Sequence, residues 1–123
     1  FIASDVLVDD VDLFCKCMND IPEKIRTWSP SSSGQSNKYC KKSGSSIRQV
    51  PYLEGFCFMS HKDILMEVDP KVNKYGYGID IVTGYETYKN GYDVACDDRL
   101  AVAYGRSWND PNFSLLRWFR QGW

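Results

Sequence analysis

Apolar positions along the chain fall into short runs of two kinds, an alternation that fits strands and a three-to-four-residue stripe that fits helices. Phe1, Ile2 and Ala3 read as a strand end, and Asp5, Asp9 and Asp10 crowd the connection after it. Val11, Leu13, Phe14, Cys17 and Met18 form a helical stripe, with Asp10 placed to cap it and Pro22 to close it. Residues 24–28 alternate as a strand that ends at Ser29 and Pro30. Residues 31–46 are rich in serine and hold no aliphatic side chain, which predicts a long polar loop, either functional or disordered. Two more strands are expected over 47–52 and 55–59. Ser60 and Asp63 then stand as a capping box for a helix through Ile64, Leu65 and Val68 that ends at Asp69 and Pro70.

After a glycine-rich turn at Tyr75, Gly76, Tyr77 and Gly78, Asp80 heads a helix whose inner face is expected to be Ile81, Val82, Tyr85 and Tyr88. Asn90 and Gly91 supply its left-handed stop. Residues 94–96 and 100–104 read as two strands around Asp97 and Asp98, and Asp110-Pro111 opens a last helix carrying Phe113, Leu116 and Phe119. Strands and helices interleave throughout, so the expected fold class is α/β, a mixed sheet flanked by helices, in a single domain over 1–123 with no internal repeat.

Composition narrows the partners. Fifteen basic against sixteen acidic residues, with no basic block, leaves none of the footprint by which proteins displace counterions from nucleic acid, so no nucleic-acid partner is expected. No window approaches the ~18 apolar residues of a membrane span. The cysteine count is odd, at 15, 17, 40, 57 and 96. Cys57 and Cys96 fall in apolar strands and read as small buried hydrophobes in a reducing, cytoplasmic compartment. A zinc scaffold built from Cys15, Cys17, Cys40 and His61 lacks the usual pair spacing. The chain opens at Phe1 inside an apolar strand, which creates the expectation of a missing segment upstream.

Three acidic positions could carry chemistry. Asp5, at a strand end, could bind a divalent cation together with substrate phosphates, or it could belong to a turn and capping cluster. Asp80, at a helix start after glycines that let backbone approach a ligand, could take a proton from a hydroxyl, or it could serve only as the N-cap of that helix. Asp97 and Asp98 read as a solvated turn. His61 reads as a helix-start polar residue, and Trp108, Trp118 and Trp123, with Phe113 and Phe119, could stack on a sugar or a base but at helical spacing read rather as core.

Four segments carry a resemblance by their order: FIASDVLVDD at 1–10, a strand running into acidic residues; VPYLEGFCFMSHKDIL at 50–65, a strand with a central glycine before a helix start; YGYGID at 75–80; and GYDVACDDRLAVAYG at 91–105. Together they resemble the second half of a family 2-like glycosyltransferase of the GT-A fold. The resemblance implies a sugar transferred from a nucleotide-sugar donor to a saccharide, lipid or protein acceptor, with Mn²⁺ or Mg²⁺ as cofactor. It implies Asp5 as the metal ligand, Asp80 as the catalytic base, and Gly55, Gly76, Tyr77 and Gly78 as substrate-binding residues. Ala3 stands where the metal motif has its first acidic or amide residue, and Tyr104 near where a late histidine is common. The nucleotide-binding first half of such a fold has no counterpart in these 123 residues. A non-catalytic sugar- or partner-binding module derived from the same fold is the alternative expectation.

Overall fold

Short strands with one apolar face become stable only when several share a longer neighbour. The computed structural model, described over residues 1–2, 6–33, 36–69, 71 and 78–104, meets that need with one twelve-residue strand. In chain order the described elements are β1 (Val6–Leu7), α1 (Val11–Asn19), β2 (Ile25–Ser32), β3 (Ile47–Gln49), β4 (Met59–Ser60), α2 (Lys62–Glu67), α3 (Ile79–Lys89) and β5 (Asp93–Tyr104). The fold is α/β, with a mixed, open five-stranded sheet flanked by helices. β2 runs parallel to β5 along one side, while β3 and β1 pair antiparallel with successive parts of its other side. β4 closes the far edge by pairing antiparallel with β2. None of the helices among the described residues is long and apolar enough to cross a membrane.

Neighbouring residues of β2 point to opposite faces of the sheet, and this places the helices. Trp28, 1% exposed, takes the ring of Phe14 edge-on at 5.7 Å and so carries α1. Thr27 faces the other way and bonds the Thr87 hydroxyl at 2.6 Å, which carries α3. Asp10 caps α1 as expected, accepting the Leu13 N–H at 2.9 Å.

Residues 94–104 form one strand instead of two, and Asp97 and Asp98 are buried within it. Against β2 the register jumps from Pro30 opposite Asp97 to Ser31 opposite Ala101, so residues 98–100 bulge out of the ladder. Pro30 tolerates its place inside β2 because it sits at that irregularity, where a missing N–H donor is least costly. Of the acidic pair that reads as a turn, Asp97 is therefore in the ladder and Asp98 begins the bulge. The Trp28 indole N–H donates to Asp97 at 3.0 Å, and the Arg99 guanidinium binds the same carboxylate at 2.8 Å. Arg99 also reaches Asp20 at 2.8 Å and the Cys17 carbonyl at 3.2 Å, complementing the C-terminal end of α1. Arg48 from β3 holds Asp98 at 2.8 Å, and Ser43 adds a hydroxyl at 3.2 Å.

The inner face of α3 also departs from expectation. Its buried residues are Thr83, Gly84, Glu86 and Thr87, whereas Ile81 is 49% and Tyr85 65% exposed. Small side chains let the helix lie close to the 51–52 backbone and to Thr27, and the two threonine hydroxyls are satisfied by Ile79 and Thr83 carbonyls. Tyr88, half-buried, bonds the Val50 carbonyl. At α2 the cap is His61, whose Nδ1 accepts the Asp63 N–H at 3.4 Å; Ser60 is drawn instead into a 2.8 Å bond with Thr27. The polar segment 31–46 is partly structural, since Ser31 and Ser32 belong to β2 and Cys40 is fully buried. Of the expected strand over 55–59 only Met59 remains in β4, and Gly55 lies in a turn. The expected helix from Asp110 and the tryptophans at 108, 118 and 123 lie outside the described residues.

Truncating Asp97 strands Arg99 and the Trp28 indole beside a dry cavity. Asp97→Ala is expected to lower stability in urea titration by about 3 kcal/mol or more. Burial works against the charged form of Asp97, but the bonds from Arg99 and Trp28 outweigh it and hold the carboxyl below the usual range. Its contribution is thus full at neutral pH and above the ordinary aspartate value. It is lost as pH falls through the depressed value, so acid unfolding should move to higher pH in Asp97→Asn than in the parent protein.

Candidate functional site

The N-terminal end of α3 meets the turn at 54–56, and this contact brings together two segments 25 residues apart in sequence. A methyl group at Gly55 would lie 3.2 Å from Oδ2 of Asp80, so the close approach depends on glycine. The backbone N–H groups of Ile81 and Gly55 turn toward the Asp80 carboxylate, the Ile81 bond measuring 2.9 Å. Burial nevertheless dominates and pushes the Asp80 carboxyl above the ordinary aspartate value. A half-buried carboxylate with raised proton affinity, placed on a turn that a Cβ would fill, can accept a proton from a hydroxyl presented to it.

Gly78 sits just before α3 with φ of +78°, a left-handed conformation that side chains resist, and the helix start has no side-chain cap. Two residues on, Asp80 stands in the first turn of the helix, against Gly55. Gly55, Gly78 and Asp80 therefore belong to one locus. Asp5, Gly76 and Tyr77 lie outside the described residues. The chain start pairs with the residues that follow this turn: Phe1 exchanges both backbone hydrogen bonds with Phe58 at 3.0 Å, and Ile2 bridges to Cys57.

Two further residues complete the site, and the sequence reading did not single them out. Glu54 stands beside Gly55, and its Oε2 accepts the Asn37 N–H at 2.8 Å. Asn37 in turn accepts the N–H groups of Tyr39 and Cys40 at 2.8 and 3.1 Å, an Asx turn that shapes residues 37–40. Burial first, and the Asp80 charge as well, push the Glu54 carboxyl upward. Its adjacency to Gly55 was the only signal in the sequence.

Asp10, part of the acidic run that includes Asp5, is spent on capping α1. Among the described residues no three His, Cys, Asp or Glu side chains converge on a metal position. All five cysteines are free thiols. Cys57 and Cys96 are buried as expected, with burial pushing Cys57 up to about 11. A separate open groove of about 460 Å³, lined by Ile21, Ile25, Arg26, Trp28, Met59 and His61 among others, shares no residue with the Asp80 locus. Comparison with protein-family models, with curated proteins and with solved structures finds no match to this chain.

Two variants test the geometry without any substrate. Gly55→Ala should fold but displace the Asp80 carboxylate by a few tenths of an ångström, visible as a shift of the Asp80 side-chain resonance. Asp80→Asn should raise the melting temperature by a few degrees at pH 7, because an ionised group that burial disfavours is removed. The raised carboxyl costs stability only above the ordinary aspartate range, so the gain should vanish below about pH 3.5, where the parent side chain is protonated in both states.

Proposed function

We propose that the protein is the acceptor-side portion of a glycosyltransferase of the GT-A type. The single observation that supports it most is the Gly55–Asp80 contact, since these residues lie in the two segments whose resemblance assigns them to substrate binding and to the base. In this reading an acceptor hydroxyl, from a saccharide, lipid or protein, gives its proton to Asp80 as its oxygen bonds to the anomeric carbon of the donor. The bond from that carbon to the nucleotide diphosphate breaks, and the diphosphate leaves with the electron pair. Gly55, Gly76, Tyr77 and Gly78 line the acceptor.

Asp5 is the residue that would bind Mg²⁺ or Mn²⁺ with the donor diphosphate, whose departing charge such a cation offsets. The open mixed sheet and the placement of Asp80 at a helix start agree with this reading. So does the raised proton affinity of Asp80, which suits a group that must accept a proton near neutral pH.

The test is a thermal-shift screen of the full-length protein against UDP, GDP and dTDP sugars with Mn²⁺. A donor at a hundred times its dissociation constant adds about 2.7 kcal/mol to stability. One nucleotide class is expected to raise the melting temperature, and Asp80→Asn is expected to keep that shift while transferring sugar about a hundredfold or more slowly. Transfer undiminished in Asp80→Asn would remove Asp80 as the base. A folded protein that answers to no donor would instead be a non-catalytic binding module on this fold.

A further inference from the structure

Three residues of β2 line the open groove of about 460 Å³, and an irregularity in the ladder brings them there. Against β5, Ile25 stands opposite Asp93 and Thr27 opposite Val94, so Arg26 is the extra residue of a bulge. Bulges re-aim side chains, and here the adjacent Ile25 and Arg26 both reach the groove, as Trp28 does. The Arg26 carbonyl accepts the His61 N–H at 2.8 Å, which sets the residue before α2 alongside as part of another wall. A volume of this size falls within the range of about 300 to 1,000 Å³ that small-ligand sites occupy.

Arg26 has donors to spare. Its guanidinium carbon stands 4.5 Å from the centre of the Tyr92 ring, over its face. Stacking of this kind uses the flat side of the group and leaves its edge, where the N–H donors lie, for hydrogen bonds in the plane. Nε, one of those donors, is buried with no hydrogen-bond partner. Among the described residues Arg48 and Arg99 are each engaged by a buried aspartate, whereas Arg26 enters no ion pair. The neighbouring polar groups are in part already committed. Ser60 shares its hydroxyl with Thr27 at 2.8 Å, and the His61 Nδ1 accepts the Asp63 N–H at 3.4 Å, which in the neutral ring leaves the proton on Nε2. Glu23, exposed, is the carboxylate among the lining residues.

We propose that this groove binds a small organic monocarboxylate with an apolar body, its carboxylate on Arg26 and its body against Ile21, Trp28 and Met59. The edge of a guanidinium matches a carboxylate through two parallel hydrogen bonds. One guanidinium in a groove that also holds Glu23 suits a single negative charge better than the nearly double charge of a phosphate monoester. Ile21, Pro22 and Ile25 offer side chains without hydrogen-bonding groups, and the Met59 thioether adapts to the shape of what packs on it. The groove and the Asp80 locus have no residue in common, so this inference stands whether or not the chain transfers sugar.

The experiment titrates the full chain with two carboxylates of different body, 3-phenylpropionate and octanoate, and with the neutral 3-phenyl-1-propanol. NMR follows the Met59 methyl and the Arg26 Nε–H. At least one acid should saturate both signals with a Kd of about 1 mM or lower, and 3-phenyl-1-propanol should bind about tenfold or more weakly than 3-phenylpropionate. Arg26→Met keeps an apolar stem and removes the guanidinium; it should weaken acid binding about tenfold and leave 3-phenylpropionate and its alcohol nearly equal. Equal binding of that acid and alcohol by the parent chain overturns the proposal, as does unchanged acid affinity in folded Arg26→Met. Failure of both acids to saturate by about 10 mM, or shifts confined to residues outside the groove, overturns it too. Should Arg26→Met fail to fold, the comparison of acid with alcohol in the parent chain decides alone.

Discussion

Two adjacent carboxylates in the middle of the central strand have to be neutralised out of reach of bulk water, and the arrangement around β5 follows from how that is done. Successive strand residues face opposite ways, so Asp97 and Asp98 need separate partners. Arg99 and the Trp28 indole serve the first, Arg48 and Ser43 the second. Each partnership ties in another element: Trp28 brings β2 and the Phe14 face of α1, Arg99 the end of α1 at Asp20, and Arg48 brings β3. A buried ion pair is not automatically a source of net stability, because desolvation offsets much of the attraction. What it secures here is register, since slipping β5 by one residue would exchange the two carboxylates and take Asp97 from the Trp28 indole of β2 and Asp98 from the Arg48 guanidinium of β3.

The bulge at 98–100 lets β5 hold β3 and then β1 along one side while continuing beside β2 along the other. With the sheet so organised, α3 can approach β2 only through small side chains. Thr83, Gly84 and Thr87 allow that approach, and their hydroxyls find partners without water. The helix end that results points Asp80 at the Gly55 turn. Position of the candidate base is thus a consequence of close helix-to-sheet packing, which is why its carboxyl is half-buried and its proton affinity raised. Such a group works against stability at neutral pH. Retaining it is the usual trade between a functional site and the stability of its scaffold.

Much of the local structure was legible in the chain. Asp10 as a cap, the stripe of α1, the stop at Asn90-Gly91 and the interleaving that gives an α/β sheet all come from interactions within a few residues, and periodicity reports these well. The failures share a cause. Asp97 and Asp98 look like a turn because acidic pairs favour solvent, yet Arg99 and Arg48 reach them inside the fold. Ile81 and Tyr85 look like an inner face because they are apolar, yet the geometry beside Thr27 admits only small groups. Ser60 looks like a cap, yet a hydroxyl of β2 claims it.

For the site, residue chemistry along the chain was enough to single out Asp80 and Gly78, since a carboxylate at a helix start and a glycine that permits close approach are properties of the residues themselves, whereas Gly55 came only from the resemblance of its segment. That Gly55 touches Asp80, and that Glu54 fastens Asn37 and Cys40 to the same turn, were decided only by the tertiary structure. Those contacts link positions 14 to 25 residues apart. No local rule specifies such meetings. They arise when long-range burial around β5 brings the turns into register, and only then does the half-buried Asp80 carboxylate come to lie against Gly55.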